Sequence, residues 1–128
     1  MMNRTVEEKV AAINESLASH EVKWVQAEVY ERKTDGVIVP AFILYDDGKR
    51  KHPVKWEWVK GNLDTEPACR REIIATLNDF SFELKLDGDT WFCTGETFID
   101  LQESDDFAFG ESEQAAFDNY LQKRGITA

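Results

Sequence analysis

Residues 21–60, EVKWVQAEVYERKTDGVIVPAFILYDDGKRKHPVKWEWVK, decide the fold. Residues 21–33 alternate apolar and polar side chains as a half-buried strand does, TDG (34–36) supplies a turn, and VIVPAFILYD (37–46) is an almost unbroken apolar run. The pattern predicts a hairpin whose second strand is buried on both faces. Pro40 has no N–H to give a ladder, so it is expected at a bulge or opposite a missing neighbour. DDGK (46–49) then turns the chain into RKHPVKWEWVK (50–60). There, strand periodicity puts Val54, Trp56 and Trp58 on one side and Lys55, Glu57 and Val59 on the other. The reading is three antiparallel strands in succession.

On the N-terminal side, residues 5–19 place Val6, Val10, Ile13 and Leu17 at helical spacing, with Thr5 and Glu8 positioned as a capping box. His20 falls at the end of this helix, where the helix dipole favours it. On the C-terminal side, GNLDTEP (61–67) has the chemistry of a helix start, with Asp64 or Thr65 as cap and Pro67 in the first turn. Cys69, Ile73, Leu77 and Phe80 continue it at helical spacing. FSFELKL (80–86) alternates, DG (87–88) is a tight-turn signal, and residues 89–101 resume the strand pattern, with Gly95 expected at a bulge. QESDDFAFGES (102–112) has no regular period. A last helix over residues 113–125 takes Ser112 as cap, Phe117 and Leu121 as core contacts and Gly125 as stop. The expected architecture is one α+β domain over residues 1–128, in the order α-βββ-α-ββ-α. Its sheet would be twisted, mainly antiparallel and about five-stranded, with helices packed mostly on one face.

With 42% hydrophobic residues, the chain has the material for a core. Its net charge of −10 is localised: residues 86–122 hold ten carboxylates and no Lys or Arg, and the remaining fifteen acids balance the fifteen basic residues. A solubility requirement would be met by spreading charge, so the asymmetry asks for a local explanation.

Catalytic and metal chemistry find little support in the motifs. Asp87 and Asp89 have the one-and-three spacing of a calcium loop, but Phe92 stands where that loop needs Gly and Phe98 where it needs a bidentate Glu. His20 and His52, the only two histidines, adjoin no nucleophile motif, and no phosphate-binding loop is present. Cys69 and Cys93 read as reduced core thiols. Neither catalytic residues, metal ligands nor a cofactor are therefore expected. The segment KRKHPVKWEWVK (49–60) interleaves basic groups with two Trp that could stack on bases. Trp56 and Trp58 on one strand face are better placed to fill the core, so direct nucleic-acid binding is not expected. The first twenty residues spread charge through every turn, which predicts neither a signal peptide nor a membrane anchor and points to the cytoplasm.

The acidic window remains. Asp87 and Asp89 are placed at a hairpin tip, Glu96 on a strand, Asp100, Glu103, Asp105 and Asp106 at its exit, and Glu111 and Glu113 at a helix start. Phe107 and Phe109 lie among them as apolar anchors, or as pins of an irregular connection. The expected function is a non-enzymatic inhibitor or adaptor whose acidic surface, residues 87–118, occludes a basic, nucleic-acid-handling partner. In type, though in no residue-level motif, the chain is similar to DNA mimics and anti-CRISPR proteins and to immunity proteins that neutralise nuclease toxins. Two other readings stand beside it: a small enzyme or ligand-binding domain with a pocket lined by Trp56, Trp58, Trp91, His52 or Cys93, and a phage structural or assembly protein.

Overall fold

The computed structural model describes residues 4–63, 65, 67–95, 98, 102 and 105–126. Its elements are α1 (Val6–Ser19), β1 (Val25–Glu31), β2 (Ile38–Asp46), β3 (Lys49–Val54), α2 (Trp56–Asn62), α3 (Pro67–Asn78), β4 (Phe82–Asp87), β5 (Thr90–Gly95), β6 (Phe107–Gly110) and α4 (Glu113–Arg124). The α+β class holds. In place of one sheet of about five strands there are two three-stranded antiparallel sheets, β1-β2-β3 and β4-β5-β6. They belong to two compact units, one ending at Leu77 and the other beginning at Asn78. No helix among the described residues is long and apolar enough to cross a membrane.

In the N-terminal unit, α1 starts at the predicted capping box: Thr5 Oγ1 accepts from the Glu8 amide at 3.2 Å, and the Thr5 amide donates to Glu8 Oε1 at 3.3 Å. His20 caps its far end and lies 3.1 Å from Glu72 Oε2 on α3. The alternation read for β1 buries Val25 and Ala27 and exposes Gln26. With Ile13, Leu17, Phe42, Val59, Leu63, Cys69 and Ile73 they form this unit's core. Asn14 of α1 exchanges two hydrogen bonds with the backbone of Ala27, at 2.7 and 3.0 Å. At Ala27 the outer edge of β1 is thereby occupied by a side chain.

Two expectations for this unit are corrected. β2 is buried on both faces only at Phe42 and Ile43, and Ile38 at its start is half exposed, because β3 pairs only with the later part of β2. Pro40 pairs with Val29 on one side and lies beyond the span that β3 pairs with, which is the missing neighbour it requires. Second, β3 ends at Val54, and Trp56 opens α2 instead of continuing the strand. Val59 and Leu63, four apart and both buried, set the inner face of this short helix. Trp56 stacks on Phe42 at 5.2 Å, while Trp58, two positions on, turns outward and is 46% exposed. The two indoles therefore do not share a face.

In the C-terminal unit, Asp87 pairs with Thr90 across a two-residue turn in which Gly88 takes φ +67°, so the predicted DG hairpin is formed. The irregular stretch after it is corrected: residues 107–110 make a third strand, β6, on the far side of β5. Ser112 caps α4 by accepting from the Ala115 amide at 3.1 Å. Gly125, in the left-handed region at φ +74°, ends the helix, and the Ile126 amide reaches back to the Leu121 carbonyl at 2.9 Å. Phe117 and Leu121 are fully buried, and both cysteines are buried thiols.

Candidate protein-binding surface

The register of β4-β5-β6 assigns every side chain of the sheet to one of two faces. Phe82, Gly95, Cys93, Ala108 and Gly110 share the face that α4 covers. Phe82 meets Phe117 at 4.9 Å between ring centres. Two glycines permit the close approach. A methyl on Gly110 would run into the backbone of Ala115 and Ala116 at the start of α4, and one on Gly95 into the Tyr120 hydroxyl and the Asp106 carboxylate. Gly95 continues the regular ladder to Phe82, so it marks this contact and not the expected bulge.

Around Gly95 a polar cluster closes the sheet against the helix. The Tyr120 hydroxyl donates to Asp106 Oδ1 at 2.7 Å, Arg124 donates to the same hydroxyl at 3.1 Å, and the Gly95 amide donates to the Asp106 carbonyl at 3.0 Å. Burial first, and the hydrogen bond to Asp106 second, push the Tyr120 phenol well above its ordinary value, with Arg124 opposing them. The folded state thus resists ionisation of Tyr120. Its stabilising effect is complete below the unfolded tyrosine pKa of about 10 and is lost as pH rises above it. Urea midpoints compared between about pH 8 and pH 11 should fall less in Tyr120→Phe than in the parent chain, and an equal fall would show that the phenol is not held neutral by the fold.

The opposite face carries Phe92, Phe107 and Phe109, with Glu83 and Lys85 of β4, paired at 3.5 Å, beside them. Gly95 and Asp106 form a hydrogen-bonded pair, so by alternation Thr94–Phe107 and Phe92–Phe109 are the close, non-bonded pairs of the β5–β6 ladder. Phe92 and Phe109 lie 5.7 Å apart, Phe107 and Phe109 5.5 Å, and Phe98 packs on Phe107 at 5.9 Å and on Phe92 at 6.4 Å. These four rings make a strip along the sheet, and Phe109 at its margin is 40% exposed. The amides and carbonyls of Phe107 and Phe109 point to the outer edge of β6. Helix α4 caps both carbonyls: Lys123 Nζ donates to Phe107 at 3.0 Å and Asn119 Nδ2 to Phe109 at 2.7 Å. Lys123 also sits 4.6 Å above the Phe107 ring.

The carboxylates fall at the two ends of this strip. Asp87, Asp89 and Glu111 are exposed at the end where Trp91 pairs with Gly110, and Glu113 stands partly exposed in the first turn of α4 beside them. Asp105 is exposed at the other end, two residues before the start of β6. Asp106, next to it, is turned inward onto Tyr120 and serves the fold. Glu96, Asp100 and Glu103 lie outside the described residues. Phe92 and Phe98 were not singled out in the sequence; reading FAF as a strand paired to TWFCT would have found the first of them. Of the other residues singled out in the sequence, His52 and Trp58 share a depression in the N-terminal unit, where Trp56 stacks on Phe42, and Trp91 and Cys93 lie on β5 of the C-terminal unit.

Comparison with protein-family models, with curated proteins and with solved structures found no match. The surface must be read from its own chemistry. Rings at its centre can exclude water from a partner's apolar side chain, and carboxylates at both ends can meet cationic groups on either side of it.

Proposed function

We propose that this protein is a non-enzymatic inhibitor or adaptor that docks a basic, nucleic-acid-handling protein on the phenylalanine strip of β5 and β6. The observation that carries the reading is the half-exposed Phe109 in a row of four packed rings, with exposed carboxylates at each end. An apolar centre within a charged rim is the usual anatomy of an interface in which a few central residues dominate affinity. A phosphate-backbone mimic needs a regular row of carboxylates. Within residues 87–118 the exposed acids that the structure describes form two groups on either side of an apolar centre, which favours a single-partner inhibitor of the immunity-protein kind over a broad DNA mimic.

The test is binding kinetics against a panel of purified basic nucleic-acid-binding domains. For a panel member that binds, Asp89→Lys/Asp105→Lys/Glu111→Lys should slow association at least about tenfold at low salt, and the effect should shrink as salt rises. Phe109→Ala should speed dissociation about tenfold or more, as loss of an apolar anchor does. A bound complex indifferent to both changes, or no binding to any member at low salt, would overturn the reading.

A further inference from the structure

A second aromatic surface lies in the N-terminal unit, and the proposed function does not use it. The β2–β3 register shifts by one residue between Ile43 and Tyr45, so that Lys51 and His52 together oppose the single residue Leu44. A bulge of this kind re-aims side chains, and bulges concentrate beside functional sites. Here it delivers His52 into a depression of 520 Å³ lined by Leu44, His52, Val54, Lys55, Glu57 and Trp58. Trp58 forms one wall and is 46% exposed. Trp24 meets it edge-on at 5.6 Å and 86°, which braces the indole as a fixed platform. His52 Nδ1 donates to the Pro53 carbonyl at 3.0 Å, so Nε2 is the ring nitrogen left for a ligand.

The local charge is positive. Residues 49–60 contain Lys49, Arg50, Lys51, Lys55 and Lys60 against Glu57 alone. Arg50 is paired with Glu28, and Lys60 with Glu57 at 3.1 Å, so the one carboxylate of the depression is already neutralised. Lys51 and Lys55 are exposed and make no ion pair among the described residues. A braced indole beside an apolar slot suits an unstacked planar ring, and unpaired lysines beside it suit an anion joined to that ring. Duplex nucleic acid keeps its bases stacked away from such a slot.

We propose that this depression binds single-stranded nucleic acid, with a base stacked on Trp58, phosphates met by Lys51 and Lys55, and His52 Nε2 available to the base edge. The expectation against direct nucleic-acid binding rested on Trp56 and Trp58 filling the core and on the negative net charge, and Trp58 does not fill the core. The net charge of −10 does not decide the matter, since screening limits each charge to a reach of about 10 Å and the lysines act at the site itself.

Fluorescence anisotropy of a labelled short oligothymidylate tests it with the full chain. With two phosphates neutralised, binding should weaken about twentyfold between about 25 and about 200 mM salt. Trp58→Ala should weaken it about tenfold or more, Trp58→Phe should restore most of the affinity, and Lys51→Glu/Lys55→Glu should abolish it. These side chains are on the surface, so circular dichroism should show all variants folded; if Trp58→Ala were not, the lysine reversal carries the test alone. Asp89→Lys/Asp105→Lys/Glu111→Lys should not reduce oligonucleotide binding, which separates this site from the acidic surface. Absence of binding at low salt, affinity unchanged by the lysine reversal, or tighter binding of an Asp- and Glu-rich peptide bearing one Phe would each overturn the proposal.

Discussion

Phe117→Ala should destabilise the C-terminal unit by about 3–5 kcal/mol, the cost of removing a fully buried aromatic ring and leaving its cavity. Phe117 lies under the sheet against Phe82, on an α4 whose Tyr120 and Leu121 are as deeply buried. Little in that environment can collapse into the space, because Gly95 and Gly110 already bring the sheet as close to the helix as the backbone allows. A loss of this size is a large share of the stability of a small domain, so the urea midpoint should fall sharply. A change under about 1 kcal/mol would mean that α4 is not the main support of the aromatic strip.

Gly110→Ala should be nearly as damaging for the opposite reason. The added methyl meets backbone atoms of Ala115 and Ala116, which cannot swing aside as a side chain can, so β6 and the start of α4 must separate. Overpacking commonly costs about 1–3 kcal/mol, and a rigid neighbour puts this substitution at the upper end. Gly61→Ala is the control. Gly61 lies in α2 with open space where its Cβ would be, and alanine there should add up to about 1 kcal/mol through helix propensity. Thermal melts of the two variants should move in opposite directions. Partner binding through Phe109 should weaken only in Gly110→Ala, whose strand carries that ring.

Much of this structure was readable from residue chemistry where the signal was local. Thr5 with Glu8, Ser112, Gly125 and the DG turn each act within a few residues, and each sits where its capping or turn chemistry puts it. What escaped the reading depends on partners distant in the chain. Residues 107–110 offer only two alternating apolar positions, too few to signal a strand, and become one because β5 presents an open edge to them. Residues 56–60 show Trp-Glu-Trp at strand period, whereas the helix is set by Val59 and Leu63, whose burial depends on the core they meet. The same error hid the second aromatic surface, since a strand would have turned Trp58 inward. In the acidic window, composition located the charge but could not separate Asp105, which faces solvent, from its neighbour Asp106, which holds Tyr120.

The side chains that close the sheet edges bear on how this sequence can vary. Asn119 and Lys123 stand exposed on α4, where substitution is ordinarily tolerated, yet each supplies the donor that occupies a carbonyl of β6. An acceptor-only or apolar side chain at either site would leave a strand edge open to recruit a neighbouring chain. Drift at these two surface positions is therefore confined to side chains that are long enough and can donate, and a mutational scan scored for solubility should find them nearly as intolerant as the core.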